Sequence, residues 1–308
     1  IQRPHCPRRP ELSVRGAMMR CSSRLLIAAV LCTAPISIAS AADLPLKAPP
    51  ITAPAPSWTG FYVGANIGGG WGRRSVDYTP NDPATVFLFD PVSGLGGAPP
   101  ATSFTSSGVL GGLQVGYNWQ CDSNWLIGLE TDFNWSGVSG SRSQAFELRP
   151  DPDVAVENAS VDERIKWFGT VRARLGYLPT DNLLAYVTAG FAYGRVEHGA
   201  SYININPNTG TLSFAAGGFG ARCFVGETCF TGASRSVSTG WTLGGGLEYA
   251  LSRNVTIKAE YLYVNLKSNP VTETALRLGG PSTKLASFNA NFSRTSLSVA
   301  RLGLNWRF

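Results

Sequence analysis

The chain is poor in the residues that most chemistry needs. Its 308 residues include two histidines, His5 and His198, and two methionines. Histidines so far apart form no metal-ligating spacing and give no support to a histidine-centred triad. No catalytic residue, metal ligand or cofactor is therefore expected. No apolar stretch reaches the roughly 18 residues of a transmembrane helix. Basic excess is also thin. The formal net charge is +6, but Arg3, Arg8, Arg9, Arg15, Arg20 and Arg24 stand against the single acid Glu11 within the first 41 residues. Setting those aside leaves 20 basic and 19 acidic residues, a net of about +1. That balance excludes the basic stripe of a nucleic-acid binder. Glycine-rich stretches at 64–72 and 244–249 lack the following helix that a phosphate-binding loop requires, and they read better as small residues on the wall of a narrow barrel.

What the chain does have is alternation. Strand-like runs of period two recur at about 58–71, 107–120, 124–136, 164–177, 183–194, 237–249, 254–264 and 295–308. Each reaches the roughly 9–11 residues of a tilted membrane-crossing strand. The last run shows the pattern cleanly: Leu302, Leu304, Trp306 and Phe308 share one face, and Arg301, Gly303, Asn305 and Arg307 the other. Charge placement sharpens the reading. Glu130, Asp132, Lys166, Arg172, Arg174, Glu248, Lys258, Glu260, Arg301 and Arg307 all take the polar parity. A basic side chain aimed at the bilayer midplane costs roughly 2–4 kcal/mol, so a lipid-facing wall imposes this segregation. Trp and Tyr gather at the run ends (Trp58 and Trp71, Trp125 and Trp135, Trp167 and Tyr177), as in the two interfacial girdles of such a wall.

The expected fold is thus all-β: an eight-stranded antiparallel transmembrane β-barrel. Short links at 121–124, 178–182 and 251–254 alternate with long ones at 72–106, 137–163, 195–236 and 265–294, which sets long extracellular loops at one end and short periplasmic turns at the other. Residues 1–41 read as an upstream segment and a secretory signal peptide, with Met18 to Arg24 before the apolar run 25–32 and a small-residue cleavage site at 39–41. Residues 42–57 form a Pro/Ala-rich periplasmic linker, and 58–308 are the barrel. Cys223 and Cys229, close together in the third long loop of an exported protein, are a candidate disulfide, while Cys121 falls in a short turn. An eight-stranded lumen holds side chains only. The ten charges assigned to it must pair, because an unpaired buried charge costs several kcal/mol. They read as a structural plug, with a gated ion path as the alternative.

Several segments resemble the opacity-type porin family of small outer-membrane β-barrels of alphaproteobacteria. They are ASAADLP (39–45), WTGFYVGANIGGGWG (58–72), GGLQVGYNWQ (111–120), WLIGLETDF (125–133), GTVRARLGY (169–177), LAYVTAGFAYG (184–194), GWTLGGGLEYAL (240–251) and IKAEYLYV (257–264), with the terminal Phe308. The resemblance implies an outer-membrane location, contact with outer-membrane lipid and lipopolysaccharide, and insertion by the outer-membrane assembly machinery. That machinery would read Leu302, Leu304, Trp306 and Phe308. The plugged lumen itself points to a structural and surface-interaction role, and no enzymatic activity is expected, since no catalytic residues are found for the barrel rim. The alternatives are a narrow channel for ions or small solutes, and haem or host-surface binding through the loops, including Lys267, Arg277, Lys284 and Arg294.

Overall fold

The computed structural model describes residues 57–92, 95–147, 156–205 and 211–308. The expected leader at 1–41 and all of the expected linker except Ser57 lie outside the described residues. In chain order the elements are β1 (Gly60–Pro80), α1 (Pro83–Phe89), β2 (Thr102–Gln120), β3 (Trp125–Glu147), β4 (Val156–Thr180), β5 (Leu183–Asn204), β6 (Thr211–Ala216), β7 (Phe219–Phe224), β8 (Thr228–Ala250), β9 (Val255–Leu266), β10 (Val271–Ala275), β11 (Lys284–Leu285), β12 (Ser287–Phe292) and β13 (Thr295–Arg307). Eight of the strands close a ring, β1-β13-β9-β8-β5-β4-β3-β2, which returns to β1. Every junction is antiparallel, and closure satisfies the strand edges that lipid cannot hydrogen-bond. None of the helices among the described residues is long and apolar enough to cross a membrane.

About half the length of the long links turns out to be wall. β4 runs for 25 residues and β3 for 23, far more than a bilayer crossing uses. β9 and β13 stop earlier, and β10 and β12 continue their places: Val76–Pro80 of β1 pair with Phe288–Phe292, and β10 bridges β12 and β8. The long links keep their place at the outer end, but their flanks extend the strands beyond the membrane, where the apolar parity turns inward and the outward hydrophobic signature is lost. Helix α1 is made locally. Asp82 caps it and accepts from the amides of Ala84 and Thr85, Pro83 opens it, and Asp82 Oδ2 also accepts from the Ser287 amide at 2.6 Å, tying the helix to β12. β6 and β7 meet at Gly217-Gly218, both at positive φ (59° and 84°), the pair a two-residue hairpin of this hand demands.

Interior side chains stack in layers. At the periplasmic end Trp58, Leu126, Leu178, Leu184, Tyr186 and Ala250 form a buried cluster. A charged layer follows. Above it, Leu110, Val138, Ile165, Phe168, Ala192, Val196, Leu262, Val264, Leu266, Leu297 and Val299 pack together. Higher still, Val76, Phe104, Val161, Ala200, Val271, Ala290 and Phe292 form a further apolar layer. The outer end closes over Leu88, Tyr202, Phe214, Phe230 and Phe288, packed with the disulfide sulfurs. Where the wall is tight, glycine is required: a Cβ at Gly68 would strike the Ala300 carbonyl and come within 2.7 Å of the Arg301 Cβ.

Candidate functional site: the filled lumen and its outer cap

Strand register brings the lower charges together. Glu130 on β3 stands opposite Arg172 on β4, Glu248 on β8 opposite Lys258 on β9, and Glu260 on β9 opposite Arg301 on β13. Arg172 donates to Glu130, to Asp132 Oδ2 at 2.8 Å and to Glu260 Oε1 at 2.8 Å. Lys258 Nζ donates to both oxygens of Glu130 at 2.9 Å. Arg301 reaches Glu260 Oε2 at 2.7 Å and Asp132 Oδ2 at 2.8 Å. Arg174 donates to Glu248 Oε2 at 2.7 Å and to the Tyr62 hydroxyl at 2.8 Å, and its guanidinium lies 3.9 Å from the centre of the Tyr186 ring. The two phenols finish the acids: Tyr62 donates to Glu130 at 2.6 Å and Tyr186 to Glu260 at 3.0 Å. Four acids thus face four bases, all shut off from solvent. Such a group is self-compensating, and removing one member strands its partners.

Arg307 sits apart, at the periplasmic end. Its guanidinium lies 4.6 Å from the Trp58 ring centre and donates to the carbonyls of Ser57 (3.2 Å) and Arg253 (2.8 Å). Trp58 itself is inside the barrel, 1% exposed, with its indole N–H on the Asp181 carbonyl at 2.9 Å. Its expected place in the interfacial girdle is thereby corrected: it precedes the strand, and the positive φ of Gly60 (145°) lies between it and the alternation of β1.

Lys166 also moves. A β-bulge between Ile165 and Trp167 shifts the parity of β4, so Lys166 points outward with its side chain 48% exposed, 3.8 Å from Glu197 Oε2. It does not belong to the lumen. The same bulge turns Ile165, Glu163 and Val161 inward. The terminal strand shows Leu302, Leu304, Trp306 and Phe308 on the outer face, each more than half exposed, and the Phe308 amide closes onto the Phe61 carbonyl at 3.0 Å. Cys223 and Cys229 are joined in a disulfide with a Cα separation of 5.1 Å, and Cys121 is exposed in its turn.

A second polar layer was missed from sequence. Arg74 Nε donates to Glu163 at 2.8 Å, and the same carboxylate meets His198 Nε2 at 3.2 Å, the Thr295 hydroxyl at 3.1 Å and the Ser106 hydroxyl at 3.3 Å. Burial raises the Glu163 pKa, but the hydrogen bonds from His198 and Arg74 outweigh it and hold the carboxyl below its usual range. The available signal was the inward parity of Glu163 and His198, which are register partners. Nearer the rim, burial alone pushes Glu157 and Glu273 up to about 8. Neither oxygen of Glu157 has a hydrogen-bond partner among the described residues, nor has Oε2 of Glu273. The described residues contain no group of three or more His, Cys, Asp or Glu arranged to hold a metal ion.

The chain is similar to known outer-membrane proteins. A 31 kDa outer-membrane immunogenic protein of Brucella melitensis is 33% identical over 276 residues, covering 88% of this chain and 93% of that protein. A 22 kDa outer membrane protein of Rhizobium leguminosarum is 27% identical over 215 residues, 70% of this chain and 67% of that protein. Among solved structures, OprG from Pseudomonas aeruginosa aligns over 81% of this chain and 96% of its own at 12% identity and a TM-score of 0.39. The family model for the outer membrane protein beta-barrel domain matches residues 28–308, and the chain belongs to that family of outer-membrane barrels.

Proposed function

We propose that this outer-membrane barrel is a closed structural and surface-presenting protein whose lumen is plugged. The carrying observation is the apolar layer of Phe168, Leu262, Val264, Leu297, Val299 and their neighbours, stacked directly above the lower charge network. A swapping ion-pair relay could pass an ion only where the next level offers polar groups. A dry hydrophobic layer offers none, and an ion entering it meets a large desolvation cost. The plug reading therefore gains over the ion path. The relatives named immunogenic support a role in which the outer end is what other molecules meet.

Conductance of the refolded barrel in planar bilayers tests this. The parent is expected to be silent. Arg172→Ala/Arg174→Ala combined with Phe168→Ala, which opens both levels, is expected to leak. Steady, reproducible openings in the parent would overturn the plug and establish the narrow channel.

A further inference from the structure

Just beyond the outer aromatic girdle, the lipid-side wall carries a compact basic patch that the lumen does not use. The girdle is traced on this flank by Trp135, Trp167, Tyr193 and Trp241, with Trp167 and Tyr193 in edge contact at 6.2 Å. One step outward, Arg164 on β4, Glu197 on β5 and Arg235 on β8 lie in one cross-strand row. In the next row down, Arg195 stands opposite Trp167, with Lys166 beside it on the bulge. All four bases are exposed. With adjacent strands roughly 4.8 Å apart, the group spans about 10 Å across the wall. Glu197 alone opposes it, at 3.2 Å from Arg195 Nε and 3.8 Å from Lys166 Nζ. Arg164 and Arg235 have no ion-pair partner among the described residues. Asp162, the next acid on this face, stands one row further out.

We propose that Arg164, Lys166, Arg195 and Arg235 form a binding site for the phosphorylated glycolipid headgroup of the outer leaflet, lipopolysaccharide. Three features select this ligand. The patch lies at the height where a girdle of Trp and Tyr marks the polar boundary of the bilayer, so its neighbour in the membrane is a headgroup. Its excess of positive charge on one side of the barrel matches clustered phosphates, with three forked guanidiniums suited to grip them bidentately. The bulge at Ile165–Trp167 brings Lys166 and Trp167 to the outer surface on consecutive residues, so a cation and an apolar platform sit side by side for a ligand that has a charged head and an acyl body.

The test is native mass spectrometry of the refolded chain with bisphosphorylated lipid A, with the same lipid stripped of its phosphates, and with excess inorganic phosphate as competitor. The parent is expected to retain the bisphosphorylated lipid and to lose the stripped one. R164Q/K166Q/R195Q/R235Q is expected to weaken retention by about a hundredfold or more, at roughly tenfold per 1.4 kcal/mol. R222Q/R277Q/K284Q, which removes bases from the cap, is expected to leave retention unchanged. Glu197→Gln, which only subtracts the opposing acid, is expected to tighten it, and this variant keeps the test alive if the quadruple variant does not fold. Equal retention of the stripped lipid, unchanged retention in a folded quadruple variant, or weaker retention in Glu197→Gln would each overturn the site. Release by inorganic phosphate would overturn the lipid as its ligand in favour of a free anion.

Discussion

The lower and upper halves of the barrel solve the same problem differently. Both must fill a narrow lumen. In the membrane the wall spends its apolar residues on lipid, so the inside is left to charged groups that compensate one another, such as Arg172 with Glu130, Asp132 and Glu260. Beyond the membrane the outer face meets water and can be polar, so the apolar residues turn inward, as Val76, Phe104 and Val161 do. Towards the outer end the interior therefore becomes largely apolar, interrupted by the layer of Arg74, Glu163 and His198. The upper half adds its own helix, disulfide and second sheet to the same strands.

The strongest way to break this comparison is to remove a shared base in the lower half. Arg172→Met leaves Glu130, Asp132 and Glu260 short of a partner in a site buried from solvent, and a loss of about 3–5 kcal/mol is expected in denaturant unfolding. If the loss is near zero, the lower network is not the organiser described here. Next, Phe168→Ala in the dry layer is expected to cost about 3 kcal/mol or more, since a core aromatic truncation leaves a cavity. Arg74→Met in the upper half is expected to cost less, about 2 kcal/mol, because Glu163 keeps His198, Ser106 and Thr295. Its signature is in pH. Glu163 is held low in the fold, so its contribution is present above the ordinary carboxylate range and disappears as pH falls through the folded value. Arg74→Met should move that acid loss to higher pH.

The sign reverses at the rim. Glu157 and Glu273 are raised from 4.5 to about 8, so the fold is favoured when they carry protons and loses stability as pH climbs between those values. Glu157→Gln/Glu273→Gln should flatten that decline and stabilise the outer end at pH 9 by about 1–3 kcal/mol, read by hydrogen exchange of β4 and β10. A steeper decline in the variant would contradict the assignment. Smallest for the barrel as a whole, Cys223→Ser/Cys229→Ser opens a link of sequence separation 6. It should cost about 2 kcal/mol locally, and exchange should rise in β6 and β7 with the barrel strands unaffected.

The membrane half was legible because lipid enforces a two-residue period on the outside while the charges stay inside: Glu130, Arg172, Lys258 and Arg301 keep parity through their strands. Lys166 was misplaced by a single inserted residue, since a bulge reverses every later assignment on its strand and leaves no mark in composition. The upper wall reads as loop for a related reason. Its outward residues, such as Asp162 and Arg164, are polar and its inward ones mix Val161 with Glu163, so the outward apolar stripe that signals a strand in lipid is absent where the strand is bathed in water. Trp58 looked interfacial because aromatic residues at strand ends usually are, and only the closed structure shows it capping the periplasmic mouth.

The continuation of β4 past Trp167 to Val156 has a consequence for reach. At about 3.3 Å per residue and a tilt near 40°, the eight residues from Trp167 to Ala159, the partner of Tyr202, lift the closing layer of Tyr202, Phe230 and Phe288 roughly 20 Å above the girdle. The wall is thus a pedestal. Among the described residues it carries α1 and the β6–β7 hairpin at its outer end, so these elements owe their position to strand length rather than to the membrane.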